Sequence, residues 1–153
     1  MTLGPGRVLT PGTAGAVAAA LLAVSQLFHA LPLTLRDDAY ITFRYAENLL
    51  AGLGFVYNAG ERVLGTTTPL YTLLLAAGGL TGVAVPWVSV ALETGAAGLV
   101  GWLIALHFRA CGLPWMGPLV TLALATVSRH WLQAAAGMET MAYVAALLGA
   151  AVA

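Results

Sequence analysis

The sequence predicts an all-α, multi-spanning transmembrane protein in which one polar loop, carrying an amphipathic helix, interrupts a series of apolar helices. Three observations predict it. Of 153 residues 60% are hydrophobic, with a mean hydropathy of +0.90. Only six basic and six acidic side chains are present, whereas a soluble domain has roughly a quarter of its residues charged. More than half of those charges, Arg36, Asp37, Asp38, Arg44, Glu47, Glu61 and Arg62, fall in the single stretch 36–68.

The first span is expected at 13–35, long enough for the roughly 20 residues that cross hydrocarbon. Arg7 before an apolar core also fits a secretory signal, but Phe28-His29-Ala30 is a poor small-x-small cleavage site. The stretch 69–85 holds Gly78, Gly79 and Gly82 and stops at Pro86, so a helix there suits a re-entrant or interfacial segment as well as a span. Further spans are expected at 87–106 and 115–128. Polar breaks fall at 107–114, around Arg109, and at 129–137. A partial span at 138–153 ends the chain, which reads as the N-terminal portion of one membrane-embedded domain.

Zero net charge and the absence of lysine exclude a basic surface for nucleic acid. The single Cys111 is read as a packing residue, and His29, His107 and His130 are too scattered for a metal-ligand motif. Glu93, within an apolar helix, is expected to hydrogen-bond a neighbouring helix.

The polar loop carries the candidate chemistry. The adjacent carboxylates Asp37-Asp38 can supply a general base for an acceptor hydroxyl. Helix capping is the alternative role. From a helix start at Asp37, steps of about 100° per residue place Asp37, Arg44 and Asn48 within about 40° of one another. Tyr40 and Glu47 fall beside them, and Phe43, Ala46, Leu49 and Leu50 opposite. This pattern describes an amphipathic helix lying on a membrane. Arg44 can neutralise a phosphate or pair with Glu47. Gly52-Leu53-Gly54 ends the helix, and Asn58-Ala59-Gly60 is a turn before Glu61-Arg62. Gly65-Thr66-Thr67-Thr68-Pro69 either caps the next helix or offers hydroxyls and N–H groups to a phosphate or sugar. Glu139, opening an apolar helix, is a functional candidate or a cap.

Three runs, Asp-Asp-Ala-Tyr-Ile-Thr-Phe-Arg-Tyr-Ala-Glu-Asn-Leu (37–49), Gly-Phe-Val-Tyr-Asn-Ala-Gly-Glu-Arg-Val (54–63) and Gly-Thr-Thr-Thr-Pro-Leu (65–70), resemble the first external loop of GT-C glycosyltransferases. The similarity is strongest to the actinobacterial arabinofuranosyltransferase-like branch, and Gly137-Met138-Glu139-Thr140 resembles a later Gly-x-Glu-Thr signature. The resemblance implies transfer of a sugar, arabinofuranose or mannose, from a polyprenyl-phosphate donor to a cell-envelope glycan acceptor. It implies that the loop lies on the outer face of the plasma membrane and that Asp37 or Asp38 is the general base. Tyr40, Arg44, Asn48, Glu61, Arg62, Thr66, Thr67 and Glu139 become the donor or substrate-binding candidates, with no metal and no cofactor. Two other readings compete: a transporter segment whose acidic pair binds a coupling ion, and a non-catalytic membrane scaffold. Transporter sites sit near the bilayer midplane, whereas Asp37-Asp38 follows the end of a span.

Overall fold

The computed structural model describes residues 9–31, 35–61, 63, 65–127 and 137–152. Among these residues all regular structure is helical, with no strand: α1 (Pro11–Ala30), α2 (Asp37–Leu50), α3 (Pro69–Gly79), α4 (Val85–Ala110), α5 (Met116–Val127) and α6 (Thr140–Val152). Two of the helices, α1 and α4, are long and apolar enough to cross a membrane.

α1 opens with a reciprocal capping box. The Thr13 N–H donates to Thr10 Oγ1 at 3.3 Å, and the Thr10 N–H donates to Thr13 Oγ1 at 3.0 Å, which satisfies two backbone groups left open at a helix start. The helix ends at Ala30 rather than Leu35 because Leu31 precedes Pro32 and adopts φ −86°, ψ 115°. The proline ring disfavours helical backbone at the residue before it.

α3 has 11 residues, a rise of about 16 Å, roughly half the hydrocarbon thickness. It is shorter than the stretch 69–85 because the chain turns at Leu80 and Gly82 takes φ +85°. α4 is longer than expected at both ends. Pro86 sits in its first turn, where a missing N–H costs nothing. His107 and Arg109 do not break the chain but occupy the last turn, where cationic side chains favour the helix C-terminus. Cys111 follows as the cap residue and is exposed, so it does not pack as its apolar neighbours suggested.

α4 is the hub, touching every other described helix. It runs antiparallel to α1, and small residues set the spacing. A Cβ on Gly15 would lie 2.9 Å from Ala105 Cβ, one on Gly101 2.9 Å from Ala19 Cα, and one on Gly98 3.4 Å from Ala23 Cβ. Residue numbers rise on one helix as they fall on the other. Such stripes let backbones approach closely where lipid replaces water as solvent. α2 and α3 pack together on the start of α4 around Phe43, Ala46, Tyr71, Leu75, Val85 and Val90. The apolar face of α2 is therefore covered by helices of this chain instead of lying open to a membrane. Phe43 and Ala46 are on that buried face as expected, but Asn48 is buried too, and Leu50 is exposed.

Candidate active-site cleft

Three segments far apart in sequence meet at one cleft of about 260 Å³. The first turns of α2 contribute Asp38, Ala39, Ile41 and Thr42; the run before α3 contributes Gly65, Thr66, Thr67 and Thr68; the segment entering α6 contributes Met138 and Glu139. α2 starts at Asp37 without a side-chain cap on its N-cap residue, Arg36. The two aspartates instead occupy its first turn, where negative charge complements the helix dipole.

Threonines tie the first two segments together. The Thr42 and Thr66 hydroxyls lie 3.4 Å apart in a buried contact, and the Thr68 N–H donates to Thr66 Oγ1 at 3.3 Å. Gly137, at φ +85°, brings in the third segment. A Cβ there would lie 3.0 Å from Ala39 Cβ and 3.3 Å from Leu35 Cβ, so a side chain would both strain the backbone and push α6 off α2.

Tyr45 fixes the floor of an adjoining depression of about 300 Å³, which shares Ile41 and Gly65 with the cleft and adds Tyr57, Asn58, Glu61 and Val63. Fully buried, Tyr45 donates its hydroxyl to the Val63 carbonyl at 2.6 Å and accepts from the Gly65 N–H at 2.7 Å. Its ring packs between Phe55 and Tyr57, with centroids 5.1 and 5.9 Å away. Removing the hydroxyl in Tyr45→Phe leaves a carbonyl and an N–H without this partner. The expected loss is about 1–3 kcal/mol, read as a lowered Tm in detergent, with faster hydrogen exchange confined to 57–68.

The sequence candidates divide between these places. Asp38, Thr66, Thr67 and Glu139 line the cleft, Thr66 with its side chain buried and Asp38 and Thr67 exposed. Glu61 lines the depression and accepts a 3.0 Å hydrogen bond from Asn58 Nδ2. Asp37, Tyr40 and Arg44 are exposed and are not among the residues lining the cleft; Tyr40 stands edge-on to Phe43, with centroids 5.4 Å apart. Asn48 is buried, and its amide nitrogen donates to the carbonyls of Val56 and Tyr57, both at 2.8 Å. Both amide hydrogens are thus committed to holding the loop. Arg62 lies outside the described residues.

Tyr45 and Thr42 escaped the sequence reading. Their signal is that both lie three or four residues from a cleft or depression residue of α2, Tyr45 from Ile41 and Thr42 from Asp38, and so share its face. Among the described residues no three His, Cys, Asp or Glu side chains group where a metal ion could be held. Two carboxyls beside a wall of hydroxyls suit a different task, receiving a proton from an alcohol and holding polar oxygens around it.

No protein-family model matches the chain, and no solved structure matches it. It is similar to the terminal beta-(1->2)-arabinofuranosyltransferase of Mycobacterium tuberculosis (strain ATCC 25618 / H37Rv), with 50% identity over 46 residues. That match covers 30% of this chain and 7% of the mycobacterial protein. It supports a relationship to glycosyltransferases, in which a sugar donor and an acceptor are the substrates.

Proposed function

We propose that the chain is part of a membrane-embedded, multi-spanning glycosyltransferase. It transfers a sugar, arabinofuranose or mannose, from a polyprenyl-phosphate donor to a hydroxyl of a cell-envelope glycan. The observation that carries the reading is the convergence of Asp38, Thr66, Thr67 and Glu139, from three separated motifs, on one cleft. The partial similarity to an arabinofuranosyltransferase supports the reaction class and favours a pentose.

Asp38 acts as the general base. It takes the proton of the acceptor hydroxyl as that oxygen bonds to the anomeric carbon, while the bond from that carbon to the phosphate oxygen breaks and polyprenyl phosphate leaves. Asp38 has this role rather than Asp37 because its side chain borders the cleft. The threonine run, with the N-terminus of α3 behind it, receives the donor phosphate, and Glu139 orients sugar hydroxyls from the opposite wall.

A membrane setting fits the surface. Val17, Leu21, Val24 and Phe28 of α1 and Leu99, Trp102 and Leu106 of α4 are exposed, and apolar exposure of this extent needs an apolar neighbour. With α1 and α4 crossing in opposite directions, the Gly12 end of α1 lies beside Arg109, where a Cβ on Gly12 would be 3.9 Å from Arg109 Nη1. Arg109 then lies on the side of the membrane opposite the loop 36–68 and the entry to α6, and with the loop outside, as in the glycosyltransferases it resembles, Arg109 is cytoplasmic.

The test is transfer by the protein in native membranes, using a polyprenyl-phosphate donor with a radiolabelled sugar. Incorporation into glycan that falls by about 10–100-fold in Glu139→Gln, with membrane insertion intact, is the expected result. Equal incorporation from a nucleotide sugar in membranes depleted of lipid-linked donor rules the donor class out.

A further inference from the structure

Beneath the cleft, α4 carries two fully buried polar residues one turn apart, Ser89 and Glu93. Each reaches a different helix. The Ser89 hydroxyl lies 3.0 Å from the Tyr71 hydroxyl of α3, and Glu93 Oε2 accepts the Met141 N–H of α6 at 3.4 Å. The expectation that Glu93 bonds a neighbouring helix is met, and the partner is informative. Thr68, immediately before α3, and Glu139, immediately before α6, both line the cleft.

A carboxyl with no exposed surface in an apolar helix is costly to bury, and the other oxygen of Glu93 has no hydrogen-bond partner among the described residues. Among the described residues no cation pairs with it to repay the cost. What the carboxyl does meet is an N–H in the first turn of α6, one of the groups a helix leaves open at its start. Glu93 thus caps α6 from another helix, two residues from the wall residue Glu139.

We propose that Glu93 is a positioning residue. By holding the first turn of α6 to α4, one turn from the point where Ser89 holds α3, it fixes Glu139 in the cleft that Asp38 and the threonines line. The consequence for transfer rests on the function proposed above; the anchoring itself does not.

The experiment compares Glu93→Ala, Glu93→Gln and Met141→Pro in the full chain in nanodiscs by hydrogen exchange, and in native membranes by transfer. Glutamine keeps an oxygen for the Met141 N–H. Proline in the first helical turn is tolerated while removing the donor. Expected is exchange about tenfold faster across 140–146 in Glu93→Ala, with α1 and α5 unchanged and Glu93→Gln within about twofold of the parent. Met141→Pro should reproduce the loosening of 142–146, and the double variant Glu93→Ala/Met141→Pro should add nothing, as for two ends of one contact. In transfer, Glu93→Ala should lower kcat by about tenfold at unchanged KM for the donor, and Glu93→Gln should restore it. Unchanged exchange in α6, loosening spread over every helix, or additive effects in the double variant would overturn the proposal. Should Glu93→Ala fail to fold, Met141→Pro alone decides, since normal exchange there means that the contact does not anchor α6. If no variant and no parent transfers sugar, the function fails while the exchange data still judge the anchor.

Discussion

Asp38→Asn is expected to abolish sugar transfer almost completely, by about 10²–10⁴-fold in kcat, the usual contribution of a positioned general base. The asparagine is nearly the same shape, so packing around Ala39 and Thr42 is retained, but its amide cannot take a proton at neutral pH. The companion variant gives the result its meaning. Asp37→Asn, one step around α2 and away from the cleft lining, should leave kcat within about threefold, losing only part of the favourable charge at the helix start. Radiolabelled transfer in membranes, with insertion followed by protease protection of the loop, measures both. Full activity in Asp38→Asn would remove the base assignment, and loss in Asp37→Asn alone would move it to the neighbouring carboxylate.

Gly101→Leu should have the largest effect on the fold. A Cβ at this position would lie 2.9 Å from Ala19 Cα and 2.9 Å from Thr121 Cγ2, so the new side chain meets backbone on one side and α5 on the other. Neither gives way without separating α4 from α1 or from α5. Overpacking of this kind costs about 1–3 kcal/mol and sometimes more. The loss should appear as a Tm lowered by several degrees in detergent, with Gly101→Ala intermediate. A Tm unchanged in Gly101→Leu would mean that the α1–α4 contact is looser than these distances require.

Helix positions were legible wherever a local rule sufficed. The start of α2 at Asp37 and its end before Gly52-Leu53-Gly54, with Gly52 at φ +74° and Gly54 at φ +89°, follow from charge placement and glycine alone. The end of α1 was misplaced because Pro32 was read as part of an apolar run rather than as a bar to helix at Leu31. The end of α4 was misplaced because His107 and Arg109 were read as a break when a helix C-terminus accommodates both. In the cleft, Asp38, Thr66, Thr67 and Glu139 could be selected from chemistry and motif. That they meet could not, since it depends on Gly137 lying against Ala39 and on α4 receiving two helices at adjacent turns. Asn48 shows the limit most clearly. Helical periodicity placed it on the polar face with Arg44, but the chain folds back over it, and a residue expected to touch substrate ties down Val56 and Tyr57.

The cleft behaves as a caliper with one fixed jaw. Thr42–Thr66, Tyr45–Gly65 and Asn48–Val56 join α2 to its own following loop by hydrogen bonds at successive turns of the helix, so these walls travel as one piece. Among the described residues the remaining jaw has no side-chain hydrogen bond to these walls: Gly137 packs on Ala39 and Leu35, Met138 packs on the core that α2 shares with α3, and the Met141 N–H donates to Glu93 on α4. Displacing the entry to α6 therefore breaks fewer hydrogen bonds than displacing the threonine wall, so in hydrogen exchange this side of the cleft should open first.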